Sequence, residues 1–224
     1  MPAIVLLSGG LDSAVNLKRA HDETGVVLAL TFDYGQRAGL REAAAAAAMA
    51  TTLGVPHRLL KLPWMAEVCR TALVNPAAEV PRLTVEQLGE ARVTGGETAA
   101  AVWVPNRNGV LLNIAAAFAE GLGADTVVAG FNAEEAVTFP DNSAAFVVAA
   151  NAALQFSTAT GVRVVSYTRD LAKPDIVRLG RQIEAPLALV WSCYYGGEQP
   201  CGACESCARF ARAQRQAAEG QEEA

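Results

Sequence analysis

The sequence predicts an α/β fold: a parallel five-stranded sheet flanked by helices. Three observations predict it. Ala3-Ile4-Val5-Leu6-Leu7 is an unbroken apolar run, as a strand covered on both faces requires. Similar short runs recur at 26–32, 57–62, 125–130 and 162–165, with segments of helical length between most of them. Such alternation is the signature of βαβ units. The 224 residues suffice for one such domain with a sizeable core.

The first strand runs into Ser8-Gly9-Gly10-Leu11-Asp12-Ser13, after which apolar residues recur at Leu11, Ala14, Val15 and Leu17. Paired glycines allow a tight turn and let backbone N–H groups approach a ligand. Asp12 and Ser13 are good helix starters. Strand, glycine turn and helix start together collect free N–H groups and the positive end of a helix dipole, a site for an anion such as phosphate. The loop lacks the Gly-Lys-Ser/Thr of a Walker motif and the third glycine of a dinucleotide fingerprint.

The second strand, Val26 to Phe32, ends in Asp33-Tyr34-Gly35-Gln36. At the carboxyl end of a parallel strand, Phe32 and Tyr34 could stack on an adenine and Gln36 could reach its polar edge. A helix over 39–53 contains the alanine run Ala43–Ala48, read as packing, and stops at Gly54 and Pro56. His57–Leu62 is a third strand; His57 and His21 read as structural or exposed. Cys69 lies in a helical stretch as a small core residue. Residues 75–102, with Pro76, Pro81, Gly89 and Gly95-Gly96, form a long irregular excursion, a lid or a dimer contact.

Val104-Pro105-Asn106-Arg107-Asn108 then opens a helix. Arg107 there can grip phosphate oxygens bidentately. Asp125–Gly130 is the fourth strand. It leads into a polar loop carrying Asn132, Glu135 and Asp141, suited to the ring N–H and amino groups of a polar heterocycle. A helix over 143–159 precedes the fifth strand, 162–165. Lys173-Pro174 opens another helix, and Lys173 either faces the pyrophosphate or is a solvated entry charge.

Composition narrows the function. Eighteen basic and 23 acidic residues leave a net charge of −5, and no Lys/Arg block appears. A direct grip on nucleic acid needs a basic surface, so a small-molecule substrate is expected. No apolar stretch is long enough for a membrane span and no secretory signal follows Met1-Pro2, so a soluble cytoplasmic protein is expected. Four of the five cysteines, Cys193, Cys201, Cys204 and Cys207, follow the pattern C-x7-C-x2-C-x2-C. Four thiolates match a closed tetrahedral zinc site, with an iron–sulfur cluster as the alternative. The basic helical tail after Cys207 gives way to acidic residues from Glu219, expected to fray. The organisation expected is a nucleotide-binding domain over 1–190, a metal-binding segment over 191–218, and a tail over 219–224.

The Ser8–Ser13 loop resembles the pyrophosphate loop (PP-loop) of ATP pyrophosphatases that adenylate a substrate. In order with Asp33–Gln36, Val104–Asn108, the Gly130–Asp141 loop, the Lys173 helix and the four cysteines, it makes residues 3–215 resemble the 7-cyano-7-deazaguanine synthases. That resemblance implies a Rossmann-like PP-loop domain, adenine nucleotide alpha hydrolase-like, and a homodimer. The implied reaction converts 7-carboxy-7-deazaguanine and ammonium to the nitrile preQ0, on the way to queuosine in tRNA, using ATP with Mg2+ and a structural Zn2+. ATP would be bound by Leu7, Ser8, Gly9, Gly10, Leu11, Asp12, Ser13, Phe32, Tyr34, Gln36 and Arg107. Ser8, Asp12, Ser13, Arg107 and Lys173 would serve catalysis, and Asn108, Asn132, Glu135 and Asp141 the deazapurine. Residue 2 is Pro rather than Cys, so no glutaminase is expected and free ammonium is the nitrogen source.

Two positions depart from the family pattern: Asn142-Ser143 replaces its Cys-Arg, and Glu135 replaces its usual Asp. A related amide-forming ligase therefore stays open. So do a tRNA sulfur-transfer enzyme, with Cys69 as the one spare thiol, and a zinc-stabilised nucleotide-binding module without turnover.

Overall fold

The computed structural model describes residues 2–82 and 99–222. Its sheet has the order β3-β2-β1-β4-β5 with every pairing parallel. The strands are β1 (Ala3–Leu6), β2 (Val26–Asp33), β3 (His57–Lys61), β4 (Thr126–Val128) and β5 (Arg163–Val165). The chain crosses from the β3 side to the β5 side next to β1, so the strand order reverses between β1 and β4. In open parallel sheets that crevice, at the carboxyl ends, is where ligands bind.

Side chains of β1 alternate between two cores, as the period of a strand dictates. Ile4 faces α4 (Arg107–Gly121) and α6 (Ala144–Ser157), packing with Leu112, Ala115, Ala116, Val147 and Leu154. Ala3, Val5 and Leu7 face α1 (Leu11–Glu23) and α2 (Gly39–Thr52), packing with Ala14, Leu17, Met49 and Ala50. On that same side, α7 (Lys173–Gln182) and α8 (Glu205–Glu222) close over Leu11 and Val15 through Ile176, Val177, Ala213 and Ala217. The C-terminal segment is thus packed into the body of the fold. Its helix runs from Glu205 to Glu222.

The glycine turn corrects one expectation. The helix begins at Leu11 with Gly10 as its N-cap, so Asp12 and Ser13 lie inside its first turn. Gly9 adopts φ +82°, and a Cβ there would sit 2.7 Å from the Glu42 carbonyl oxygen and 3.0 Å from the Ala45 Cβ. The room that Gly9 provides is taken by α2, whose alanines let it approach the turn. A Gly9→Ala variant meets both the left-handed backbone penalty and an overlap, so a loss of about 3 kcal/mol is expected, measurable by urea unfolding.

Four further differences have local causes. Thr126–Val128 is shorter than expected, because Gly130 leaves the sheet to pass the first turn of α1; a Cβ at Gly130 would lie 3.0 Å from Ser13 N. The polar loop after it is a short helix, α5 (Ala133–Thr138), followed by a 3-10 turn at Pro140–Asn142. Asn132 caps α5, its side chain accepting the Glu135 N–H at 2.9 Å. Cys69 falls just past α3 (Pro63–Val68), in extended conformation, and is buried as expected. Residues 83–98, the middle of the expected excursion, lie outside the described residues.

Candidate active site

The first intrahelical bond of α1 runs from the Ala14 N–H to the Gly10 carbonyl at 3.0 Å. The N–H groups of Leu11, Asp12 and Ser13 therefore have no acceptor in the helix. Hydroxyls shape the turn: the Gly10 N–H donates to Ser8 Oγ at 3.3 Å, and Ser13 Oγ donates to the Gly10 carbonyl at 2.9 Å. Trp191 N–H donates to the Gly9 carbonyl at 2.9 Å, tying the C-terminal segment to the turn.

A cleft of about 300 Å³ opens here. Its floor is the carboxyl ends of β1, β2 and β4. Leu7, Ser8, Gly10, Leu11, Asp12, Ser13, Phe32, Tyr34, Gln36, Arg107, Asn108, Glu135, Asp141 and Lys173 all line it. Gly9 and Asn132 do not. Gly9 is packed under α2, and Asn132 is fully buried with its oxygen spent on the cap. Gln36 is turned inward: its amide donates to the Phe32 carbonyl and to Glu42, and accepts the Tyr34 N–H, each at 2.9 Å. It holds the turn at the end of β2.

At the centre lies Lys173, the first residue of α7. Its Nζ is 3.1 Å from Asp12 Oδ2 and 2.8 Å from Glu135 Oε1. An ammonium has three donors, so one is left over. Burial alone would lower the Lys173 pKa; the two carboxylates outweigh it and raise it. The carboxylates are pushed apart. Burial raises Asp12 despite Lys173, whereas for Glu135 the attraction of Lys173 overcomes burial and lowers it. The other oxygen of Asp12, Oδ1, is buried with no hydrogen-bond partner among the described residues. Glu134, beside Glu135, accepts the Lys173 backbone N–H at 2.9 Å and pairs with Arg212 of α8, which fixes the start of α7.

On the β2 side, Arg107 lies over the Tyr34 ring at 6.0 Å and donates to its hydroxyl at 3.2 Å. Burial raises the Tyr34 pKa. Opposite, Trp103 and Phe139 are parallel within 9° at 6.2 Å between centroids and form a flat wall beside Asp141. Asn108 Nδ2 donates to the Asp141 carbonyl at 3.1 Å. Asn142 faces the cleft, donating to Asp141 Oδ1 at 3.3 Å, while Ser143 caps α6 by accepting the Phe146 N–H at 3.1 Å.

Sequence reasoning missed the wall built by the C-terminal segment. Tyr194, Glu205, Ser206 and Arg209 all line the cleft. Helical spacing was the available signal: Glu205 and Arg209 are four apart, and share a face only once the helix is placed to begin at Glu205.

Below this wall, the sulfurs of Cys193, Cys201, Cys204 and Cys207 all lie within 4.8 Å of one another. A tetrahedral ion with bonds of about 2.3 Å brings sulfurs to about 3.8 Å, so the donor set and its spacing fit a four-thiolate metal site. Backbone N–H groups of Tyr195 and Cys201 point at Cys193 Sγ at 3.3 and 3.4 Å, and that of Cys204 at Cys201 Sγ at 3.3 Å. Burial opposes ionisation of Cys201, but such donors, with the neighbouring thiols, bring its pKa down to about 7. Cys69 is outside the cleft lining, with its sulfur 3.1 Å from Thr71 Oγ1.

Among the described residues, no helix is long and apolar enough to cross a membrane. The chain is 55% identical over 213 residues to the 7-cyano-7-deazaguanine synthase of Desulforamulus reducens, covering 95% of this chain and 93% of that protein. It is 54% identical over 217 residues to the synthase of the same name from Pelotomaculum thermopropionicum, with 97% and 98% covered. The corresponding protein of Methanosarcina mazei is 49% identical over 215 residues, with 95% and 93% covered. Residues 2–218 match the family described as queuosine biosynthesis protein QueC. With its parallel sheet, its glycine turn and its four-cysteine cluster in a single frame, the chain belongs to the QueC family.

Proposed function

We propose that this chain is an ATP-dependent ligase that converts 7-carboxy-7-deazaguanine and ammonia to 7-cyano-7-deazaguanine. The observation that carries this reading is the meeting of Lys173, Asp12 and Glu135 at the start of α1, with Nζ 3.1 and 2.8 Å from the two carboxylates. It puts a buried cation and free backbone N–H groups where a triphosphate would lie across the β1/β4 crevice.

ATP would place its phosphates against Ser8–Ser13 and its adenine towards Phe32 and Tyr34, with Arg107 over the phosphates. The unpartnered Asp12 Oδ1 fits a divalent cation, and Asp12 with Glu135 would hold Mg2+, which when bound neutralises phosphate charge. The deazapurine would lie along the Trp103–Phe139 wall, its ring N–H and amino groups towards Asp141.

The chemistry then runs in two activations. A substrate carboxylate oxygen attacks the α-phosphorus; the bond to the β-phosphate oxygen breaks and pyrophosphate leaves, giving an acyl adenylate. Ammonia adds to the acyl carbon, AMP leaves and a proton is lost, giving the amide. The amide oxygen then attacks a second α-phosphorus with loss of pyrophosphate. The nitrogen gives up its two protons, the C–O bond breaks and AMP departs with the oxygen, leaving the nitrile. The protein's part is positioning and charge neutralisation by Lys173, Arg107 and the turn's N–H groups.

Cys193, Cys201, Cys204 and Cys207 would hold a structural Zn2+, whose four thiolates leave no open position for catalysis. Free ammonium would supply nitrogen, and no nucleic acid would be gripped directly, in keeping with the net charge of −5. Cytoplasmic residence would keep the thiols reduced. A homodimer is supported by α6, which carries no charged residue and exposes Val148 at 67% and Phe156 at 93%. Sedimentation at micromolar concentration tests it; a monomer would refute it.

The function is tested by mass spectrometry after incubation with ATP, Mg2+, ammonium and the acid. The nitrile is expected. Accumulation of the amide, or no product, would overturn the assignment.

A further inference from the structure

We propose that Arg209, carried into the cleft by the helix that the cysteine cluster anchors, binds the reacting carboxylate of the acid substrate. This rests on the synthase reading and adds to it the receptor for the group that is activated.

The cleft is crowded with carboxylates: Asp12, Glu42, Glu134, Glu135, Asp141 and Glu205 all line it. An anionic substrate cannot enter without a cation to meet its charge, because an unpaired buried carboxylate is costly. Among the described residues, three cationic side chains line the cleft: Arg107, Lys173 and Arg209. Lys173 already bridges Asp12 and Glu135. Arg107 stands over the Tyr34 ring, on the β2 side where the nucleotide is placed. Arg209 stands on another element, α8, and shares the cleft with Glu135 and Lys173.

Its guanidinium is set for this task. Nε and Nη2 both donate to one oxygen of Glu205, at 2.9 and 2.6 Å. Glu205 is itself 95% buried, since only 5% of it is exposed. That pair fixes the plane of the fork. Nη1 makes no hydrogen bond among the described residues, and the side chain keeps 17% of its surface exposed. A planar cation held on one edge and open on the other is suited to a carboxylate. Cys204 precedes Glu205, and Cys207 lies two residues before Arg209, so the cysteine cluster holds the turn that presents it.

The test compares the acid with the neutral amide, 7-amido-7-deazaguanine, as substrates of Arg209→Gln. An Arg209 that only braces α8 would affect both alike. KM for the acid is expected to rise about 100-fold, with KM for the amide and for ATP changed less than about threefold. Arg209→Lys keeps the charge and loses the fork, and should show a smaller rise, about tenfold, again on the acid alone; it carries the test if the Gln variant does not fold. Equal effects on acid and amide, or none on either, would overturn the proposal. If the unaltered protein forms nitrile from neither, the synthase reading itself has failed, a separate result.

Discussion

Replacing Lys173 with methionine is expected to lower kcat about 1,000-fold, the scale seen when a preorganised charge is removed from a developing anion. The methylene stem remains and packing is kept, but Asp12 and Glu135 then face each other with no cation between them. Stability should report the same change through its pH dependence. Lys173 holds the Glu135 pKa below its usual value. A carboxylate lowered in the folded state contributes stability above its unfolded pKa, and that contribution is lost as pH falls through the folded value. The variant lacks it. Its Tm should therefore lie below that of the parent at neutral pH, and the gap should close as pH drops below the ordinary carboxylate range. A variant that retains kcat would remove Lys173 from the mechanism. A gap that widens towards acid would show that Lys173 does not stabilise an ionised Glu135.

Cys204→Ser is expected to cost activity as well as stability, about 100-fold in kcat/KM, although no step passes through the cysteine cluster. Cys204 is fully buried and leads into the turn that carries Glu205, Ser206 and Arg209 to the cleft. A displacement of about 1 Å in a positioning group can cost that much. A four-thiolate metal lends folding energy to the segment it ties, so the variant should lose bound metal and become open to proteolysis near 193–204. Upstream, the sheet should persist, because the buried residues of its two cores all precede the cysteine cluster. Metal content, limited proteolysis and kinetics on one preparation check the three effects together. Full activity with the metal lost would separate the cluster from the cleft.

Much of the frame was legible in the sequence. Ala3–Leu7 could only be a covered strand, and the residues that follow could only turn and start a helix, so the heart of the cleft was readable from one short stretch. Lys173 was less so. Pro174 marks a helix start, but that this start meets Asp12, 161 residues away, is set by the order of strands, which periodicity does not encode. Gly9 was legible only in part for a related reason: its freedom also makes room for a neighbouring helix, and that neighbour is distant in sequence. Asn132 carried a signal that went unread, since Asn-x-x-Glu is a helix-capping pattern; its polarity suggested ligand binding, whereas its oxygen is used on the backbone. Glu205 and Arg209 were hidden because the metal ligands around them drew the reading towards structure, and a helix that serves the cluster with some side chains can serve the cleft with others.

The central claim is that the organic acid attacks the α-phosphorus of ATP lying on the Ser8–Ser13 turn. It is tested most directly with 7-carboxy-7-deazaguanine labelled with oxygen-18 in its carboxylate, turned over with ATP, Mg2+ and ammonium. The label is expected to pass into the phosphate of AMP. Label in orthophosphate instead, or AMP free of label alongside the nitrile, would contradict it.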